Sequence, residues 1–116
     1  MNVIITGANG QLGRELQQIK SEKLTIHAFS SSQLNITDLE QAEAIITNIK
    51  PEFIINAAAY TAVDTAESNS QDAFAVNTKG VENLANICKK TNAKLIHVST
   101  DFVFEKLKSN FLFIIN

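Results

Sequence analysis

Residues 2–13 read NVIITGANGQLG, and the way this stretch folds decides the rest of the molecule. Asn2–Thr6 is a short apolar run rich in β-branched residues that stops at a glycine, the pattern of a buried strand. Gly7, Gly10 and Gly13 follow at GxxGxxG spacing, and Leu12, Leu16 and Ile19 recur at helical intervals through LGRELQQIK. Gly7 permits a sharp turn out of the strand, Gly10 lets a diphosphate approach the backbone, and Gly13 lets the helix lie close to the sheet. The amides of Gln11 and Leu12 then point from a positive helix terminus toward an anion. A glycine motif alone is weak evidence. One that leaves a strand and opens a helix predicts a dinucleotide seat rather than a plain turn.

Working outward, LTIHAF (Leu24–Phe29) predicts a second strand. The stretch ITDLEQAEAIITNIK predicts a helix with Thr37 and Glu40 as its capping box. Its apolar face is Leu39, Ala42, Ile45, Ile46 and Ile49, and Pro51 closes it. Phe53–Ile55, with Asn56 at its end, predicts a third strand. The loop AAAYTAVDTAESN leads to a helix signalled by Ser68 and Gln71, running to about Lys90 with an apolar stripe of Phe74, Val81, Leu84, Ala85 and Cys88. Lys94–Val98 is the fourth strand. Strands alternating with helices predict an α/β, Rossmann-like parallel sheet with helices on both faces. Right-handed crossovers predict the strand order 3-2-1-4.

A length of 116 residues suits one domain with a single core. With 45% hydrophobic and 19% charged residues the chain is globular rather than disordered. A formal net charge of -2 argues against a nucleic-acid or anionic-membrane partner. The apolar start meets glycine too early for a signal peptide or a membrane span. A lone cysteine, Cys88, cannot form an internal disulfide, which fits a reducing compartment, and the cytoplasm is the expected location.

The end of strand 2 bears on the cofactor, because an acid there bonds the ribose of NAD and a basic residue nearby accommodates NADP. Phe29-Ser30-Ser31-Ser32 has neither. Serine hydroxyls can bond a ribose hydroxyl or a 2′-phosphate, which leaves NAD(H) and NADP(H) both open with a slight balance toward NADP(H). Arg14, the only arginine, is close enough to help but reads better as a solvated helix residue.

Several residues have plainer explanations. His27 and His97 sit within strands without a third ligand at metal spacing, so they are packed side chains and no metal is expected. Cys88 belongs to the core. Asp64 and Glu67 are polar loop and helix-start residues, and Lys89 and Lys90 suit a helix C-terminus. Asn77, between Phe74 and Val81 on the stripe, needs partners; these lie either in a neighbouring loop or in the active site. By residue type alone, Thr100 and Asp101 after strand 4 are ordinary turn residues.

The strings TGANGQLG, LNITD, NAAAYTAVDTAE, AVNTKGVENLA and STDFVF stand in the order and spacing of the extended short-chain dehydrogenase/reductase family, which the chain resembles over residues 1 to about 104. The nearest branch is the one that reduces the 4-keto group of dTDP-4-dehydro-L-rhamnose to dTDP-L-rhamnose, a step in cell-surface polysaccharide biosynthesis. The resemblance implies an oxidoreductase using NADP(H) or NAD(H). It places Gly7, Gly10, Gln11, Leu12 and Gly13 at the pyrophosphate, Ser30 near the adenosine ribose, and Asn35 and Ile36 beside the adenine. Asn35 stands where the family more often has aspartate. Ala59, Tyr60 and Thr61 would line the cofactor trough. Thr100 would be the catalytic hydroxyl that bonds the substrate carbonyl, with Asp101 next to it at the substrate.

The family's proton donor, a tyrosine followed four residues later by lysine, is absent: Tyr60 is the only tyrosine and Asp64 follows it at that spacing. Residues 105–116, EKLKSNFLFIIN, match nothing in the family's continuation and form an atypical apolar tail after the cofactor-binding half-domain of residues 1–104. The chain is thus expected to be truncated relative to the family and inactive alone. An open edge at strand 4 is also expected, covered by the tail or by a second copy in a homo-oligomer. The competing readings are a non-catalytic, cofactor-binding regulatory module and a fragment of a related sugar-nucleotide epimerase or dehydratase.

Overall fold

The structure is a computed structural model that describes the backbone of residues 1–57, 70–99 and 111–115 and the side chains of residues 1–57 and 78–97. Its elements are β1 (Asn2–Thr6), α1 (Gln11–Leu16), β2 (Thr25–Phe29), α2 (Leu39–Ile49), β3 (Phe53–Asn56), α3 (Ser70–Thr91), β4 (Lys94–Ser99) and β5 (Phe111–Ile115). They build one five-stranded sheet in the order β2-β1-β3-β4-β5. The first four strands are parallel; β5 runs antiparallel to β4, with Leu95 opposite Ile115 and Ser99 opposite Phe111.

The α/β class with helices on both faces is as the sequence predicts; the order 3-2-1-4 is not. β3 lies against β1 rather than outside β2, so the crossover through α2 returns past β1. The burial of the strands explains the choice. Central parallel strands are covered on both faces and read as continuous apolar runs. β1 is buried from Val3 onward and β3 reads FIIN, whereas β2 alternates Thr25 and His27 with apolar residues and is only half covered. An edge suits β2, and the centre suits β3. Beyond β2, the non-strand residues Leu34 and Ile36 fill the core instead.

That core lies on one face of the sheet. Ile4, Ile54 and Leu95 face Ala42 and Ile46 of α2 and Leu84, Ile87 and Cys88 of α3, all at or below 1% exposure. Two amphipathic stripes sit differently from their predicted positions. In α3 the inward face is Gly80, Asn83, Leu84, Ile87 and Cys88, so Val81 and Ala85 fall on its flank and Ile87 takes a central place. In α2, Leu39 is 39% exposed because it sits in the first turn, outside the covered stripe. Phe74 and Asn77 have side chains outside the described residues.

α1 also differs from its periodicity. It ends at Leu16, short of Lys20, and leaves Ile19 half exposed. So short a helix covers little of the second face, and an apolar groove of about 240 Å³ remains there, lined by Leu16, Ile26, Phe53, Ile55 and Ile96 among others. At the edge of the sheet, β5, formed by the tail, covers the flank of β4, the first of the two coverings expected for that edge.

The caps show local rules at work. Asp38, not Thr37, caps α2: its side chain accepts from the Gln41 amide at 3.2 Å. Thr37 instead donates to Asn35 Oδ1 through both its amide and its hydroxyl. At the far end, Lys50 (φ 57°) takes the left-handed conformation that donates its amide to the Ile46 carbonyl, just before Pro51. Lys89 and Lys90 do lie in the last turn of α3, where Lys90 pairs with Glu43 across the surface at 2.9 Å. Exposed pairs of this kind add little.

A side chain at a left-handed position pays a steric cost that glycine avoids. Lys50→Gly should therefore stabilise the fold by about 1 kcal/mol. Urea denaturation would show a higher midpoint at unchanged m-value; a lower midpoint would contradict this account of the cap.

Candidate functional site

Because β1 to β4 are parallel, their carboxyl ends share one side of the sheet, and in such folds ligands bind outside those ends. The turn between β1 and α1 opens there. Gly7 has φ 68°, a conformation that favours glycine, and its carbonyl accepts from the Gly10 amide at 3.1 Å. A Cβ on Gly13 would fall on the Gly7 carbonyl oxygen and within 2.9 Å of the Ala8 Cα. The helix therefore touches the turn backbone to backbone, as the third glycine predicts. Gly10 is the N-cap of α1 and offers no side-chain oxygen to the amides that follow it. With only six residues, α1 contributes less dipole than a full-length helix; the donors themselves are the asset.

Two contacts fix this turn, and the sequence gives little sign of either. The Ala8 amide donates to the Phe29 carbonyl at 2.9 Å, tying the turn to the end of β2. Gln17, at the C-cap, reaches back so that its Nε2 donates to the carbonyls of Ala8 (2.9 Å) and Gly13 (3.0 Å).

The segment after β2 is next to the turn. Ser30 is buried at 8% exposure, and its hydroxyl is engaged with Ser32 Oγ at 3.0 Å and Gln33 Oε1 at 3.3 Å. Ser31 and Ser32 are exposed beside it. The exposed Asn35 donates its amide to Gln41 Oε1, and its Oδ1 accepts from Thr37, so it shapes a local turn. Ile36 is buried, and its carbonyl accepts from Asn83 Nδ2 at 2.9 Å. Arg14 is exposed on α1, as expected of a solvated residue.

A polar row crosses the sheet in register at the same end. Thr6 Oγ1 donates to Asn56 Oδ1 at 2.7 Å, and Asn56 Nδ2 donates to His97 Nδ1 at 3.1 Å. As the acceptor, Nδ1 carries no proton, so the neutral His97 ring is protonated at Nε2. Burial disfavours the charged ring and lowers its pKa from the usual 6.5. His97 is thus a packed residue, but a hydrogen-bonded one. Cys88 is buried too, and its thiol is pushed up to about 11 by desolvation, which removes it from nucleophilic chemistry.

Gly7, Gly10, Gln11, Leu12, Gly13 and Ser30 are thus brought to one corner, with Asn35 and Ile36 on its flank. Ala59, Tyr60, Thr61, Thr100 and Asp101 lie outside the described residues, as do Asp64, Glu67 and Ser68. No described helix is long and apolar enough to cross a membrane, and no metal-binding cluster occurs among the described residues.

The parallel sheet and its glycine turn define a Rossmann-like α/β protein. Residues 1–112 match the family model described as the RmlD substrate binding domain, and the chain belongs to that family. It is 50% identical over 104 residues to a dTDP-4-dehydrorhamnose reductase of Mycobacterium tuberculosis, covering 89% of this chain and 34% of that protein. With the enzyme of that name from Aggregatibacter actinomycetemcomitans it shares 44% identity over 109 residues, 92% of this chain and 37% of the other. Among solved structures, the NADP complex of dTDP-4-dehydrorhamnose reductase from Bacillus anthracis str. Ames superimposes with a TM-score of 0.72 at 41% identity, over 81% of this chain and 34% of that one. The chain thus spans about a third of the length of the curated relatives it matches.

The His97 shift has a sign that can be measured. The folded state holds the ring neutral, so its stabilisation is fully present above pH 6.5, the unfolded value. It is lost progressively as pH falls from there through the lowered folded pKa, because the unfolded chain binds the proton first. Asn56→Ala, which leaves Thr6 and His97 without this partner, should cost about 1–3 kcal/mol at neutral pH, and His97→Gln, which leaves no imidazole to titrate, should flatten the acid limb. Urea titrations between pH 5 and pH 8 would check both; an unchanged limb in His97→Gln would remove His97 from the account.

Proposed function

We propose that this chain is the cofactor-binding part of a dTDP-4-dehydrorhamnose reductase, and that its glycine turn seats the diphosphate of NADP(H) or NAD(H). The observation that carries this is the backbone contact of Gly13 with Gly7, which lets α1 begin directly at the carboxyl end of β1 with Gly10 as its N-cap. The relatives' names and the NADP in the Bacillus anthracis complex support it. Gly7, Gly10, Gln11, Leu12 and Gly13 would hold the diphosphate. Ser30 with its neighbours would meet the adenosine ribose, and Asn35 and Ile36 the adenine. Ala59, Tyr60 and Thr61, which follow β3 in sequence, would line the cofactor trough.

When bound, the nicotinamide supplies a hydride for C4 of the keto sugar. This chain's part is to hold the dinucleotide against the sheet and, through Thr100, to donate a hydrogen bond to the C4 oxygen as negative charge develops on it. Asp101 would border the sugar. The alkoxide still needs a proton, and these 116 residues contain no tyrosine with a lysine four positions on. General acid catalysis is worth about a hundredfold to ten-thousandfold. Turnover by residues 1–116 alone should therefore be negligible.

A cytoplasmic location fits a lone, buried thiol. We assign the cofactor-binding unit to residues 1–104 and the tail to residues 105–116. Its strand β5 carries the outer edge through which a homo-oligomer would form. Light scattering after size exclusion should show a concentration-dependent dimer that Phe113→Lys abolishes; a monomer at all concentrations would overturn this contact.

Calorimetry with NADPH and NADH should show saturable binding with no reduction of the keto sugar. Gly13→Ala should abolish binding, because its methyl group displaces the turn. Wild-type protein that is folded yet gives no heat with either dinucleotide would overturn the reading.

A further inference from the structure

The segment Ser30–Ile36 leaves the carboxyl end of β2, where the adenosine half of a dinucleotide lies in folds of this class. Its first residues fold on themselves, the Gln33 and Leu34 amides donating to the Ser30 carbonyl. Its end is fixed from elsewhere. Asn83 of α3 is 3% exposed, and its Nδ2 donates to the Ile36 carbonyl at 2.9 Å, a contact spanning 47 residues of sequence. One turn earlier, a Cβ on Gly80 would collide with Cγ1 and Cδ1 of Ile36. Amide and glycine face the same residue from the same helix.

An amide in an otherwise apolar helix face is costly unless it is matched, and an apolar residue there would leave the Ile36 carbonyl buried without a donor. The pair does more than fill space: the glycine sets how near α3 comes to the segment, and the amide sets its height.

We infer that Asn83, with Gly80, is the positioning residue for the adenosine-side wall of the crevice, and that affinity for the adenosine half of the cofactor depends on it. Asn83 touches no ligand itself; it acts through Ile36. This inference rests on the dinucleotide reading above. Displacement of a binding wall by an ångström is enough to lower affinity severalfold to a hundredfold.

The test compares wild type, Asn83→Ser and Gly80→Ala by calorimetry with NADP and with adenosine 2′,5′-bisphosphate. It is run at a temperature where melting curves show each protein folded. Both variants should raise Kd about tenfold, by the same factor for the two ligands, because the loss lies in the portion they share. A lower Tm with both Kd values unchanged would make Asn83 a structural residue only and overturn the inference. Weaker NADP binding with unchanged bisphosphate binding would overturn it as well.

If Asn83→Ser fails to fold, Gly80→Ala decides on the same terms. Hydrogen exchange on wild type needs no variant: the bisphosphate should slow the amides of residues 34–36 and 80–84 together. Slowing confined to the first group would count against the coupling. A wild-type chain that binds neither ligand condemns the dinucleotide reading itself, a result seen before any variant is made.

Discussion

The close approach of Gly13 to the Gly7 carbonyl is the constraint from which the rest of the site follows. It permits a helix to begin almost on top of a strand end, so the first amides of α1 emerge beside the carboxyl ends of β1 and β2. Were the helix held off by a methyl group, the Ala8–Phe29 bond and the double reach of Gln17 would both lose their geometry. The turn is small, but three elements converge on it.

Among the described residues, the buried polar side chains around that corner are each matched. Thr6, Asn56 and His97 tie β1, β3 and β4 together where the sheet meets the crevice. Asn83 ties α3 to the segment beyond β2. Buried polar contacts of this sort add little net stability, yet they are expensive to break and so define one arrangement. They join three strands at that end of the sheet and tie the segment beyond β2 to α3.

The chain is lopsided in its packing. One face of the sheet has a dense core under α2 and α3, while the short α1 leaves Phe53, Ile55 and Ile96 half covered on the other. A parallel sheet is ordinarily covered on both faces. Stability therefore rests chiefly on the α2–α3 side, where Ile4, Ile46, Ile54, Leu84, Ile87 and Leu95 are fully buried.

The sequence alone determined the class of fold, the places of its main elements and the glycine corner, because hydrophobic period and glycine chemistry are local signals. NVIIT and FIIN are legible as buried strands, and GxxGxxG after a strand has few other uses. Strand order was not legible, since it depends on which side of β1 the chain returns to, and that is settled by competition for burial among β2, β3 and the Leu34–Ile36 segment. Nor could periodicity find the cap at Asp38, the stop of α1 at Leu16, or Asn83 as the amide that matters. Each is decided by a partner distant in sequence or by one turn's geometry. Hydrogen bonds between residues forty or fifty positions apart leave no pattern in a single chain, and only the tertiary structure brings Asn83 to Ile36 and Asn56 to His97.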